Sequence, residues 1–446
     1  MTDTVPRDVA TTAPSALPES AAPPALPPEP PRRPAPDLPT WARELAATGW
    51  RRVLGWPGWV QVLVAYGASR VLCGVVIELA ARWGQNPAGV GVLNPHYLDM
   101  VQIWDGEWFK KIALHGYPST LPHGAIGTVD YNSWAFFPGF PMLVRLVMVT
   151  GLSFSVAASV VNLLTGAGAA LVIWRLFSVR PGHERLAVLA VAFWCLLPSA
   201  PVLQVAYAEA LAALLLAGTL LLLIRRHYLW AAPVVLALGL TRGIAAPLVV
   251  VVLWHGWLRW RARLDDPWPG RQQASWAVLL LATGVSVLLW PAVVGIVTGV
   301  PDAFLQTQAA WGQKPADGPF LPWLTWAWAG LGLVGVVLLL GVVFAGARLL
   351  TSRHTAWLAS ELRVFGVAYP VYLLAVVRPI TSMWRFLLLD LPIAAALASV
   401  AARGAREHVS RDWYWRVAAA AAVALTAMCW WTAVYLTRIP WGDSPP

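Results

Sequence analysis

Charge is what this sequence has least of. Only 12% of its 446 residues are Asp, Glu, Lys or Arg against 58% hydrophobic, and the mean hydropathy of +0.61 lies outside the usual range of water-soluble domains. A large soluble core is excluded. Cysteine is also scarce: Cys73, Cys195 and Cys429 each lie in a separate apolar run without metal-type spacing, as small core residues do. Acids number 22 against 32 bases, a formal charge of +10. The bases cluster between apolar runs, where the positive-inside rule puts them, which argues against nucleic-acid binding.

Residues 1–45 are rich in Pro and Ala with few large apolar side chains, which predicts a disordered tail. They lack the apolar core of a secretory signal, so the tail is expected to stay in the cytoplasm. Residues 46–446 read as one all-α, polytopic membrane domain. Apolar runs from Pro57 onward suggest about 10–12 transmembrane helices. Five basic stretches, Arg175–Arg185, Arg225–His227, Arg259–Arg271, Arg348–Arg363 and Arg403–Arg416, alternate consistently if all face the cytoplasm. The loop 83–135 then faces the extracytoplasmic side. The run at 136–151 is short enough to lie shallow or re-enter, and the run at 229–257 must turn back at Thr241-Arg242-Gly243. Arg70 and Glu78 fall on roughly one face of the first run, as a structural pair or as side chains snorkelling to its end.

Acids and aromatics concentrate in the first loop, in Ile103–Pro118 and again in Tyr131–Pro141. A helix over about Leu98–Leu114 would put Trp104, Trp108 and Ile112 on one face and Asp105 with Phe109 on another, an amphipathic helix at a membrane surface. Its Trp rings would sit at headgroup depth. Under this topology the segments around Glu209, Thr241–Gly243, Gln306–Asp317 and Arg378–Arg385 reach the same outer face, and such convergence points to an active site at the membrane surface.

Three blocks occur here in order: Trp104-Asp105-Gly106-Glu107-Trp108-Phe109, Ile112-Ala113 with Gly116-Tyr117, and Ala135-Phe136-Phe137-Pro138-Gly139-Phe140-Pro141. With Leu197–Pro201, Tyr207-Ala208-Glu209, Leu240–Gly243 and the Gln-rich loop holding Trp311 and Pro315, this pattern resembles the PIG-V type mannosyltransferases. The resemblance covers most of residues 100–320. It implies an extracytoplasmic hexosyltransferase of the C-type glycosyltransferase superfamily, with an acid of the first outer loop as catalytic residue and a polyprenyl-phosphate sugar as donor. Departures are Trp108, where relatives often carry His, Ala208 in place of Ser, and the Pro-rich tail. They bear on the acceptor, a lipid or glycan hydroxyl, more than on the chemistry.

Moving a sugar from a lipid phosphate to a hydroxyl requires a base at that hydroxyl and a means of bearing charge on the departing phosphate. Asp105 is the expected base of an inverting transfer. Glu107 is the second candidate catalytic acid; it lies about 200° further around a helix and would orient the acceptor or the loop. Arg242, at a break in an apolar run, is the first candidate for the phosphate, and Arg378 and Arg385 are the next; the alternative is that they snorkel. Trp104, Tyr117 and Glu209 complete the expected substrate-binding residues, Glu209 being alternatively a structural partner. No cofactor or metal is expected. The rival class is a lipid-linked-sugar transporter or flippase, which would show repeated halves with paired broken helices; no clear repeat is found.

Overall fold

The computed structural model describes residues 55–84, 95–124, 127–313, 318–380, 382–402 and 411–437. The expected tail, residues 85–94, Pro315 and most of Arg403–Arg416 lie outside them. Apart from Gly55, the described residues belong to one unit, Trp56–Pro446.

Among the described residues the fold is helical, with one isolated β-bridge between His123 and Val129. Helix α1 spans Gly58–Gly84, α2 Tyr97–Val101, α3 Asp105–His115, α4 Gly139–Met148, α5 Phe154–Phe177 and α6 Glu184–Cys195. Next come α7 Glu209–Ile224, α8 Tyr228–Gly239, α9 Ala245–Arg261, α10 Gly270–Thr298 and α11 Ala303–Ala310. The last are α12 Leu321–Thr351, α13 Ser360–Val376, α14 Met383–Phe386, α15 Leu391–Ala401 and α16 Arg411–Trp431. Among the described residues five helical stretches are long and apolar enough to cross a membrane: Gly58–Trp83, Phe154–Phe177, Gly270–Thr298, Leu321–Thr351 and Trp413–Leu436. Met383–Leu389 with Leu391–Ala401, bent by 82°, makes a sixth if counted as one broken span. That is fewer than the 10–12 spans expected. The remaining apolar runs fold as helices of 10 to 17 residues, such as α4, α7, α8, α9 and α13, too short to qualify alone.

The main core joins α5 to α7, α7 to α8, α8 to α10 and α6 to α15. Small residues allow this close approach: Ala169, Ala170, Ala187, Ala190, Ala213 and Ala217 are all completely buried. The run at 229–257 breaks where expected, between α8 and α9, and the run at 136–151 yields only the ten-residue α4. The basic stretches meet in pairs. Arg180 donates to the Ala356 carbonyl, and Arg226, just beyond the end of α7 and about 25 Å along it from Glu209 at 1.5 Å per residue, shares Asp266 with Arg259.

Two expectations about ion pairs and helices need correction. Arg70 does not pair with Glu78: its guanidinium donates to the carbonyls of Ala200 and Cys195 at 2.7 and 3.1 Å, while Glu78 takes Arg82 and the Tyr97 amide. A buried guanidinium with five donors is better satisfied by one carbonyl at the end of α6 and another in the turn that follows it than by one distant carboxylate. Nor is Leu98–Leu114 one helix. It breaks at Gln102–Trp104, where Trp104 adopts φ 57° and ψ −119°, and restarts at Asp105. Trp104 therefore leaves the face of Trp108 and Ile112; it packs on the main core and donates its indole N–H to the Leu436 carbonyl at 3.0 Å.

Candidate active site

The break before α3 makes Asp105 the first residue of a helix, where a carboxylate is favoured by the free amides and the macrodipole. Below it, Gly106, Phe109, Ile112 and Ala113 are buried, with Phe109 edge-on to Phe136 and Phe140. That aromatic packing fixes α3, and the Val101 carbonyl accepts from the Ala206 amide at 2.8 Å, tying the first loop to the segment before α7. The same segment is held by Asn162, a fully buried amide in the first half of α5 that donates to the carbonyls of Val205 and Tyr207. Glu209 thus opens α7 beside Asp105.

Four charges from four parts of the chain converge here. Arg385 Nη1 lies 2.5 Å from Asp105 Oδ2, and its Nε lies 3.8 Å from Glu209 Oε1. Arg242 Nη1 lies 3.0 Å from the same Glu209 oxygen. Side-chain exposures of 13% for Asp105, 8% for Arg385, 0% for Glu209 and 16% for Arg242 place the cluster largely out of water. Two acids and two guanidiniums balance, as buried charge must. Phe386 contacts both guanidiniums, with its ring centre 4.7 Å from Arg242 Cζ and 5.2 Å from Arg385 Cζ, and Tyr207 lies 4.9 Å from Arg385 Cζ.

Tight backbone contacts hold Arg242 in place. The Gly139 amide donates to the Leu240 carbonyl at 2.7 Å, and a Cβ on Gly139 would stand 2.4 Å from Thr241 Oγ1. On the other side Tyr372 Oη donates to the Gly243 carbonyl at 2.6 Å. Arg242 is accordingly not at an open helix end, as the sequence suggests, but engaged by Glu209. Beside Tyr372 an apolar groove of about 770 Å³ runs between α9 and α13, lined by Pro247, Val250, Trp254, Arg363, Val367 and Val371.

The other expected residues are dispersed. Glu107 is exposed, away from the cluster, as its position around the helix requires. Tyr117 stacks on Trp134 and gives its hydroxyl to the Phe136 carbonyl at 2.9 Å, and burial pushes its phenol well above the ordinary range. Arg378 is bound elsewhere, its amide to Gln313 Oε1 and its Nη1 to the Gly312 carbonyl. Among the described residues no group of three His, Cys, Asp or Glu side chains could hold a metal. Sequence reasoning missed Asn162 and Phe386. A lone Asn inside an apolar run was the available signal for the first; nothing marks Phe386 among its apolar neighbours.

No family model matches the chain, and no curated protein matches it. Among solved structures it is similar to the Archaeoglobus fulgidus oligosaccharyltransferase in complex with zinc and sulfate, at 15% identity and TM-score 0.42, over 84% of this chain and 52% of that one. It is likewise similar to the same enzyme tethered to an acceptor peptide, at 14% identity and TM-score 0.41, over 84% and 54% of the two chains. The archaeal oligosaccharyltransferase AglB from Archaeoglobus fulgidus with an inhibitory peptide and a dolichol-phosphate gives 14% identity and TM-score 0.42, over 85% and 55%. The chain thus spans about half the length of these structures.

Proposed function

We propose that this chain is a membrane glycosyltransferase that moves a sugar, mannose by its PIG-V-type resemblance, from a polyprenyl phosphate to a lipid or glycan hydroxyl on the extracytoplasmic face. The observation that carries the reading is the compensated cluster of Asp105, Arg385, Glu209 and Arg242, which joins the first-loop acid to arginines at a broken helix. Asp105 takes the acceptor's proton as the hydroxyl oxygen bonds to C1; the C1–O bond to phosphate breaks, and its electron pair stays on the polyprenyl phosphate. Arg385 engages Oδ2, leaving the second carboxylate oxygen for that proton.

Charge balance makes the steps mutually supporting. Protonation of Asp105 removes the negative charge opposite Arg385 at the moment the phosphate gains one, so the guanidinium's field is released where it is needed. Arg242, the more exposed of the two arginines, is suited to meet the phosphate itself. The apolar groove that begins beside Tyr372 fits the polyprenyl tail. The choice of side rests on the basic stretches, which gather at the far ends of α7 and α8 and belong in the cytoplasm by the positive-inside rule.

Purified protein incubated with polyprenyl-phosphate mannose and glycoside or glycolipid acceptors should give an inverted glycosidic product. Movement of the intact donor lipid across a vesicle membrane with no sugar transfer would instead make the chain a flippase.

A further inference from the structure

The first loop holds a second cavity, separate from the Asp105 cluster. It is open, about 420 Å³ in volume, and bounded by Trp108, Lys111, His115, Pro118, Tyr131 and Asn132. Its charge is of one sign. Lys111 and His115 are basic, and none of the residues lining it is an acid.

The lysine is held in position. Its Nζ lies 4.2 Å from the centre of the Trp108 ring, a cation–π contact. The same indole stacks on Phe136 and meets Trp311 edge-on, and Trp311 in turn packs edge-on against Tyr131 and donates its N–H to the Asn132 carbonyl. Asn132 is buried, with its side chain bonded to the Trp134 amide and the Asp130 carbonyl, so this wall is preorganised. Neighbouring Lys110 turns away to Gln102. Tyr131, 61% exposed, presents an aromatic surface at the mouth.

The cavity also lies in register with the proposed reaction. On α3, Trp108, Lys111 and His115 occupy one flank, beginning a turn beyond Asp105 and reaching about 9 Å to Lys111 and about 15 Å to His115 at 1.5 Å per residue. A substrate with one hydroxyl at Asp105 can extend along this flank.

We infer that this cavity binds an anionic group, a phosphate or carboxylate, carried by the acceptor at a distance from its reacting hydroxyl. The inference rests on the glycosyl-transfer reading and adds the acceptor's charge to it. Lys111 and His115 are the specificity-determining residues, with Trp108 and Trp311 positioning the first.

The test uses the full chain in phosphatidylcholine nanodiscs with three probes: octyl mannoside, octyl mannoside 6-phosphate and free mannose 6-phosphate. Binding is measured calorimetrically without donor, and transfer with polyprenyl-phosphate mannose. The wild type should bind the phosphorylated glycoside about ten-fold more tightly than the neutral one, the size of one charge-assisted contact. Lys111→Gln with His115→Gln should bring that ratio to about one, and Lys111→Arg should keep it. Tight binding of free mannose 6-phosphate would assign the anion to a soluble glycan, and tight binding of only the octyl compound to a glycolipid headgroup; both support the site. Equal affinities in the wild type, or an unchanged ratio in the double variant, would overturn it. If selective binding is present but no probe is glycosylated, the anion site stands and the glycosyl-transfer reading fails.

Discussion

Arg385 and Asp105 are 280 residues apart in the chain, yet Nη1 of one lies 2.5 Å from Oδ2 of the other. The contact joins the start of α3 to the α14 turn ahead of the 82° bend, and through Glu209 it reaches Arg242. Neither charge is well exposed, so each depends on the other for compensation.

Asp105→Asn should abolish transfer with the protein still inserted and folded. An amide of the same shape cannot accept the proton, so turnover falls by about 100- to 10,000-fold, the usual contribution of a general base. Glu107→Gln, on the exposed side of α3, should leave turnover within a factor of a few. Sugar transfer by the two purified variants decides between them, and a dead Glu107→Gln with an active Asp105→Asn would exchange their roles.

Arg242→Leu should lower kcat/KM by about thirty-fold, roughly 2 kcal/mol for a lost charge-assisted contact. It should also cost about 3–5 kcal/mol of stability by leaving Glu209 buried and less compensated. Replacing Arg242 and Glu209 together by Leu should recover much of the stability but none of the activity. Recovery of kcat/KM in the double variant would make the pair purely structural.

Gly139→Ala places a Cβ 2.4 Å from Thr241 Oγ1 and 3.0 Å from the Leu240 carbonyl, so the break carrying Arg242 must shift. A loss of about 1–3 kcal/mol is expected from such overpacking, together with reduced turnover. Gly270→Ala, with nothing within 4 Å of its Cβ, is the control and should stay within about 0.5 kcal/mol. Thermal unfolding in detergent compares them.

At the cytoplasmic end of the proposed topology, His255 bridges Tyr228 Oη at 2.9 Å and Glu361 Oε1 at 2.8 Å. Glu361 precedes the apolar run of α13. Burial raises its pKa, but the hydrogen bond from His255 and its other partners outweigh burial and hold it below the ordinary value. A depressed carboxylate contributes stability that is present above its unfolded pKa of about 4.3 and is lost as pH falls through the folded value. His255→Asn should therefore cost about 1.5–3 kcal/mol near neutral pH, the usual contribution of a hydrogen bond to a charged group. The difference in Tm from wild type should narrow as the buffer is taken below about pH 4; a pH-independent difference would show that the Glu361 charge is not involved.

The sequence by itself determined the features that depend on local composition. Low charge and long apolar runs dictate a helical membrane protein, Thr241-Arg242-Gly243 marks a real break, and the short run at 136–151 gives only the ten-residue α4. The position of Glu107 around its helix was also legible, because it depends only on helical periodicity.

Tertiary structure alone decided which charges meet. Helical periodicity gives the face on which a side chain lies but not the height at which two helices pass, and that offset is set by contacts such as Gly139 against Leu240 and Thr241. The pairing of Arg385 with Asp105, the engagement of Arg242 by Glu209 and the diversion of Arg70 from Glu78 to the carbonyls of Cys195 and Ala200 all result from such offsets. Burial then selects the partner: away from water a guanidinium takes the acceptors within reach, whatever their distance in sequence.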